Sequence, residues 1–311
     1  MSEIACKMGG NCTPSSPCTF FYVYSTDIAP KAFDDLFEYV NKYNKPFKFY
    51  ANARIDMKQP DDIQYHSDFS SFNNSVHSHW PNSSLGYSDS NTGSDVLKVI
   101  EKYLDNTQVP VCGSVIHISL KRYPNELDID KLVARIRQSH SVVNVIIPTN
   151  SSGGLYPQTV YNLATKTNGL GFYGNDIGYD WAEDKMNIWE GKPYLTYSTN
   201  VNVSGNGSVT LPPMSASFFF SDIVITVQDS ASMSTFQSMT LTFHGETDTF
   251  AATDGNGGFT MNYNFLYTLH EFTNPNYSVT LDYQYSDSKQ QTLQIRLNSW
   301  EQIDYWIPYA N

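Results

Sequence analysis

The sequence predicts an α/β domain followed by an all-β domain. Three observations carry this. Up to about residue 175, short apolar runs rich in β-formers alternate with segments of helical period, the pattern of a mainly parallel sheet with helices on both faces. From residue 193 the helical period stops, and short alternating runs separated by Gly, Asn and Asp take over, as in an antiparallel β-sandwich. The chain has 311 residues, enough for two domains, and 14% aromatic against 16% charged residues, the reverse of a disordered composition.

Residues 1–17 read as an irregular Cys-containing leader. Residues 18–175 form the predicted α/β domain, 176–192 an acidic, Trp-bearing linker and 193–311 the sandwich. Cys18–Tyr24 is an apolar β-rich run and hence a buried strand. Phe33, Leu36, Phe37 and Val40 lie at i, i+3, i+4 and i+7, one face of a helix that Pro30 is suited to open. Phe47–Ile55 is a second strand. Residues 57–92 form a polar stretch too long for a plain loop, so a short element or a function is expected there.

Ser94 can cap a helix carrying Leu97, Ile100 and Leu104. Val115–Leu120 is a strand, and Asp128 can cap a helix burying Ile129, Leu132, Val133 and Ile136. Val142–Ile147 is a strand, Val160, Leu163 and Ala164 mark a helix stopped at Gly169, and Leu170–Tyr173 is the last strand of the sheet. The sandwich strands fall on Tyr194–Val203, Ala216–Val227, Met239–Phe243, Phe259–Tyr267, Ser278–Tyr285 and Leu293–Leu297.

The net charge is −12, with 19 basic residues against 31 acidic ones. That balance supplies no basic field for nucleic acid or anionic lipid, and no apolar stretch approaches a membrane span. Cys6, Cys12, Cys18 and Cys112 lack the short paired spacing of a zinc site and allow three disulfide connectivities. Seven N-x-[ST] sequons occur, at Asn11, Asn73, Asn82, Asn150, Asn202, Asn206 and Asn276, in a composition rich enough in Asn, Ser and Thr to generate most of them. Asn82, Asn150, Asn202, Asn206 and Asn276 are the glycosylation candidates. The protein is expected outside the cell if a leader has been removed, with a cytoplasmic protein of four reduced cysteines as the alternative.

Phe20–Asp27, Asn144–Thr149 and Tyr161–Tyr173 resemble the von Willebrand factor A fold, and within it a nematode group of uncharacterised A-domain-like proteins. Tyr161–Tyr173 carries the Ala-x-x-Thr-x-Gly type of passage seen before the family's final strand. The resemblance spans half the chain and leaves the sandwich without a parallel. It implies ligand binding at the carboxyl ends of the strands through a divalent metal held by D-x-S-x-S, a Thr and a later Asp. Here Tyr24 stands where the Asp belongs, Ile28 falls at the second Ser, and Lys121-Arg122 occupy the later acidic position. No metal or other cofactor is therefore expected. The edge should instead carry Ser25, Thr26, Asp27, the 57–92 segment, Lys121, Arg122 and Thr149–Gly153, with Ser25, Thr26, Asp27, Lys121, Arg122 and Thr149 as ligand-binding candidates. An A-like sheet places its first strand beside its fourth, which implies a Cys18–Cys112 disulfide and leaves Cys6 with Cys12.

His77-x-His79 is at most half a metal site, with no carboxylate or third ligand placed beside it; solvated loop histidines are the plainer reading, and both stay as ligand-binding candidates. His117 alternates within an apolar strand and reads as a core residue. His244–Asp248 reads as a strand end and turn, and Asp254–Gly258 as a hairpin turn. There is no G-x-S-x-G, H-E-x-x-H or Walker loop. The expectation is a non-enzymatic binding or adhesion protein with a protein or glycan ligand. A self-assembling extracellular structural protein is the alternative, and a hydrolase with an unrecognised site ranks third.

Overall fold

Every residue of β1 (Thr19–Ser25) is buried, because β1 lies at the centre of a sheet covered on both faces. The computed structural model describes residues 12–43, 47–174, 194–216, 220–228, 235–253, 264–299 and 301–310. The chain divides into two units, Met1–Lys192 with Asp304–Trp306, and Pro193–Ile303 with Ile307–Asn311.

The first unit is a six-stranded sheet. In chain order its elements are α1 (Pro30–Tyr43), β2 (Phe49–Ile55), β3 (Gln64–His66), α2 (Phe69–Ser78), α3 (Val96–Leu104), β4 (Val115–Ser119), α4 (Asp130–Gln138), β5 (Val142–Pro148), α5 (Pro157–Lys166) and β6 (Gly171–Gly174). The strand order is β3-β2-β1-β4-β5-β6. All neighbours run parallel except β3, which pairs antiparallel with β2. The 57–92 segment thus holds a three-residue strand, a ten-residue helix and a short 3₁₀ turn at Ser83–Leu85.

Alternation along β1 divides the core. Phe20, Tyr22 and Tyr24 meet Phe33 and Phe37 of α1, Phe72 of α2 and the buried His117 of β4 in a run of ring contacts. Phe21 and Val23 face the other way, into a cluster with Ile100 and Tyr103 of α3, Ile136 of α4 and Tyr161 of α5. The helix face expected at Phe33, Leu36, Phe37 and Val40 is wholly buried.

The second unit contains β7 (Tyr194–Val203), β8 (Asn206–Ser215), β9 (Phe220–Val227), β10 (Phe236–His244), β11 (Thr249–Thr253), β12 (Phe265–Glu271), β13 (Asn276–Tyr285) and β14 (Gln291–Ser299). They form two antiparallel sheets, β11-β10-β13-β8 and β12-β9-β14-β7. The pairs β7–β14, β8–β13, β9–β12 and β10–β11 are nested, and alternate pairs fall in opposite sheets. This is one long hairpin rolled into a jelly-roll sandwich. Both sheets feed a single core that includes Ile225, Leu241, Val279 and Ile295. Two strands were not expected. Pro212 and Pro213 hide β8, which lies at a sheet edge where lost N–H donors do least harm, and β11 has only five residues. His244 ends β10, and Gly245 N–H donates to the Asp248 carbonyl at 2.9 Å, the expected turn. Asp254–Gly258 lies outside the described residues.

The disulfide differs from the expected one. Cys12, not Cys18, pairs with Cys112, at a Cα separation of 5.7 Å. A turn at Thr13–Ser16, closed by Ser16 N–H to the Thr13 carbonyl at 2.9 Å, brings the leader back to the sheet. Cys18 is buried and takes no part in that bridge. The Cys12 carbonyl accepts from Trp306 Nε1 at 3.0 Å, and the Trp306 ring stacks on His140 with centroids 4.9 Å apart. Cys6 lies outside the described residues. Among the described residues no helix is long and apolar enough to cross a membrane.

Candidate functional site

Because β1, β2, β4, β5 and β6 are parallel, Ser25, Ile55, Ser119, Pro148 and Gly174 all end at one edge, and the loops beyond them converge there. The centre of that edge is Arg122, 1% exposed. Its Nη1 donates to the carbonyls of Asp89 (2.8 Å) and Thr92 (2.7 Å), and its Nη2 to the Tyr87 carbonyl (3.2 Å) and to Asp27 Oδ2 (3.3 Å). Its guanidinium carbon lies 5.4 Å from the centre of the Tyr87 ring. Asp27 Oδ2 also accepts from Ser152 Oγ at 2.9 Å. The pair fits because two neighbours lack side chains. A Cβ on Gly86 would overlap the Asp27 carboxylate, and one on Gly153 would overlap Arg122 Nη1.

Behind this pair lies a second, fully buried carboxyl. Asp56 follows β2 directly, with the left-handed φ of 66°. Ser25 Oγ donates to Asp56 Oδ2 at 2.5 Å and accepts from Lys121 N–H at 2.9 Å, so one hydroxyl links the ends of β1, β2 and β4. The Asp56 N–H donates to Asp95 Oδ1 at 2.9 Å. Burial pushes the Asp56 carboxyl up to about 7; hydrogen bonds from Ser25 and Ser94 pull it down, and the Asp95 and Asp27 carboxylates push it up again. Tyr87 is raised to about 12, mainly by burial, with Asp95 and Asp56 adding and Arg122 subtracting.

The edge expected from the sequence is therefore present, but its residues point inward. Ser25, Thr26, Lys121 and Arg122 are all buried and serve the loops instead of facing a ligand. Thr26 Oγ1 donates to the Asn82 carbonyl (3.0 Å) and accepts from Asn82 N–H (3.1 Å), and Lys121 Nζ donates to Asn150 Oδ1 (3.0 Å). Thr149 is exposed, with its N–H on the Gly174 carbonyl at 2.8 Å. The histidines lie on α2 and its end, not in a loop. His77 Nδ1 bonds the Asn73 carbonyl, and its ring packs on Phe37 and Trp80. His79 caps the helix, its Nδ1 on the Ser75 carbonyl at 2.8 Å and its own carbonyl accepting from the Tyr24 hydroxyl. Neither joins the Arg122 cluster. Asn82, Asn150, Asn202, Asn206 and Asn276 are all exposed. Tyr87 and Ser152 fall within the 57–92 and 149–153 segments expected at this edge, whereas Asp56 and Asp95 lie outside every segment expected there. Asp56 had a readable signal, an acidic residue directly after a predicted strand, as Asp27 is near the end of the first.

The residues do not fit the divalent metal that the A-type resemblance implies. A buried guanidinium lies against Asp27, Tyr24 is held among aromatic rings, and Ile28 is in the core. A second cation there would meet Arg122 at close range with its candidate oxygen already engaged.

Residues 199–300, all within the sandwich, match a family described as Domain of unknown function (DUF7154). Among curated proteins none matches. Among solved structures, a von Willebrand factor type A protein from Catenulispora acidiphila is 8% identical, with a TM-score of 0.36, over 93% of this chain and 59% of its own. The chain thus spans under two thirds of that protein. The CBM22-1–GH10 modules of the Clostridium thermocellum endo-1,4-β-D-xylanase 10B are 6% identical over 37% of this chain and 30% of theirs, with a TM-score of 0.22. The Macrobrachium rosenbergii nodavirus P-domain is 15% identical over 34% of this chain and 90% of its own, with a TM-score of 0.20. None of these three is a nematode protein. The fold assignment rests on this chain's own strand order, in which β1 pairs parallel with β4 as the resemblance implied.

Proposed function

We propose that this chain is a non-catalytic, extracellular binding or adhesion protein that engages a protein or glycan ligand through the loops at the carboxyl edge of its α/β sheet, without a metal. The observation that carries the reading is the buried Arg122. It supplies an internal positive charge and ties the 87–92 loop to Asp27 with four hydrogen bonds. The loops are thereby held in one arrangement before any ligand arrives, which lowers the ordering cost of binding. The hydroxyls nearest the edge are spent on structure: Ser25 on Asp56 and Ser152 on Asp27. The Cys12–Cys112 bridge favours an oxidising compartment. Against the self-assembly alternative, edge strand β8 carries Pro212 and Pro213, which blunt strand addition at that edge.

Protein and glycan arrays probed with the intact chain, with and without chelator, test this. Binding that survives chelation is expected. Binding abolished by chelator, or turnover in a panel of hydrolase substrates with no binding on either array, would overturn it.

A further inference from the structure

We propose that Leu127 and Leu155, held on the β4–α4 and β5–α5 loops inside an acidic rim, form the docking surface for a basic protein segment that presents an apolar side chain. This deepens the binding reading above and rests on it.

Leu127 and Leu155 are the most exposed large apolar residues among the described residues, at 57% and 60%. They occupy adjacent loops of the same edge. Tyr123 N–H donates to the Gly153 carbonyl (2.8 Å), Tyr156 N–H to the Pro124 carbonyl (3.1 Å), and Thr159 Oγ1 to the Glu126 carbonyl (2.6 Å), so the segments carrying the two leucines are laced together. The 87–92 loop joins them through Gly154 N–H on the Ser90 carbonyl (3.0 Å) and Asn125 Nδ2 on the Asn91 carbonyl (2.8 Å). Arg122 in turn holds the 87–92 loop through its carbonyls at Tyr87, Asp89 and Thr92. Exposed leucines on mobile loops would be unremarkable, since single apolar residues on a surface are common. Two on braced, mutually bonded loops are preorganised apolar anchors of the kind found at interface centres.

The occupant follows from charge. Asp89, Glu126 and Asp128 are exposed around the pair, and among the described residues none of them has an ion pair. Asp130 is taken by Lys166 at 2.7 Å, and Lys131 is the exposed cation next in sequence. The rim is net negative on a chain of net charge −12. A second copy would bring the same carboxylates face to face across a two-fold contact, which like-charge repulsion disfavours. A glycan offers no apolar side chain for two leucines to enclose. A segment with an apolar anchor flanked by Lys or Arg satisfies both the leucines and the rim.

The test is selection of a displayed random-peptide library on the intact, disulfide-bonded chain, with counter-selection on the Leu127→Ser/Leu155→Ser double variant. Both leucines are exposed, so the variant should unfold at the parent's urea midpoint. Enriched peptides should pair apolar residues with Lys or Arg. A synthetic copy of the leading peptide should bind the double variant at least tenfold more weakly, and Glu126→Gln/Asp128→Asn severalfold more weakly with a shallower salt dependence. Peptides or arrayed proteins that bind parent and double variant equally would overturn the patch and leave the binding reading standing. An absence of any binding on peptide, protein and glycan arrays would overturn both. Acidic enriched peptides, glycan binding lost in the double variant, or concentration-dependent dimerisation lost in it would each overturn the proposed occupant.

Discussion

Asp56 gives the most direct test of the buried edge, because replacing it by Asn should make the α/β unit more stable at pH 8 and leave it little changed near pH 4. The folded carboxyl titrates near 7, against about 3.9 in an unfolded chain. Between those values the folded state holds a proton that the unfolded state has released, so stability is full below about pH 4 and falls as pH rises to about 7. Three pH units at about 1.4 kcal/mol each put the cost of the ionised, buried form at about 4 kcal/mol above neutrality. Asn reproduces the shape of the protonated acid and can still accept from Ser25 Oγ. It also tolerates the left-handed φ of 66° better than most residues. His66, His140 and His270 are held below their ordinary pKa by burial, so their contribution to stability rises as pH climbs toward the ordinary histidine range, the opposite direction. Those terms cancel when the variant is compared with its parent. Urea titrations at pH 5, 6.5 and 8, read by hydrogen exchange in β1 and β2, should show an Asp56→Asn advantage that grows with pH by about 3 kcal/mol. An advantage that is absent, or the same at pH 5 and pH 8, would refute the reasoning.

Three further outcomes are expected. Cys12→Ser or Cys112→Ser opens a loop of sequence separation 100 and should cost the first unit about 2–5 kcal/mol in denaturant; non-reducing peptide mapping should return a Cys12–Cys112 peptide, and recovery of Cys18–Cys112 would contradict the structure. Arg122→Met leaves Asp27 and three loop carbonyls without their donor inside a buried site and should cost about 3–5 kcal/mol, with added Mg²⁺ restoring none of it in thermal melts; calorimetric titration of the parent with Mg²⁺ or Ca²⁺ should be flat, and Asp27-dependent micromolar binding would sink the metal-free assignment. Gly153→Ala places a methyl on Arg122 Nη1 and 2.8 Å from the Ser90 carbonyl, so hydrogen exchange should rise across 87–92 and 150–154 while the sandwich is unaffected.

The alternation of strand-like and helix-period segments was enough to predict the order of the first unit outside the 57–92 segment, where β3 and α2 have no clear period of their own. Burial of a whole helix face shows directly in the sequence, as at Phe33, Leu36, Phe37 and Val40. The placement of Asp27, Lys121 and Arg122 at one edge was also legible, since parallel strands send all their carboxyl ends the same way. Which way those side chains point was not. Arg122 reads as a surface cation in sequence and becomes a buried clamp only because the 87–92 loop, some thirty residues away, brings three carbonyls to it. Strand β8 escaped for a similar reason: its prolines are tolerated only at a sheet edge, and edge position depends on pairing with β13.

The cysteines mark the same boundary. Cys18 and Cys112 next to strand starts were visible, but the choice of Cys12 over Cys18 depends on a turn that returns the leader to Cys112. Local periodicity is written in neighbouring residues, so sequence alone determined most of the elements and the two-part architecture. Pairing, burial and charge environment are set by groups distant along the chain, so only the tertiary structure decided the disulfide, the inward-facing edge and the raised Asp56 carboxyl.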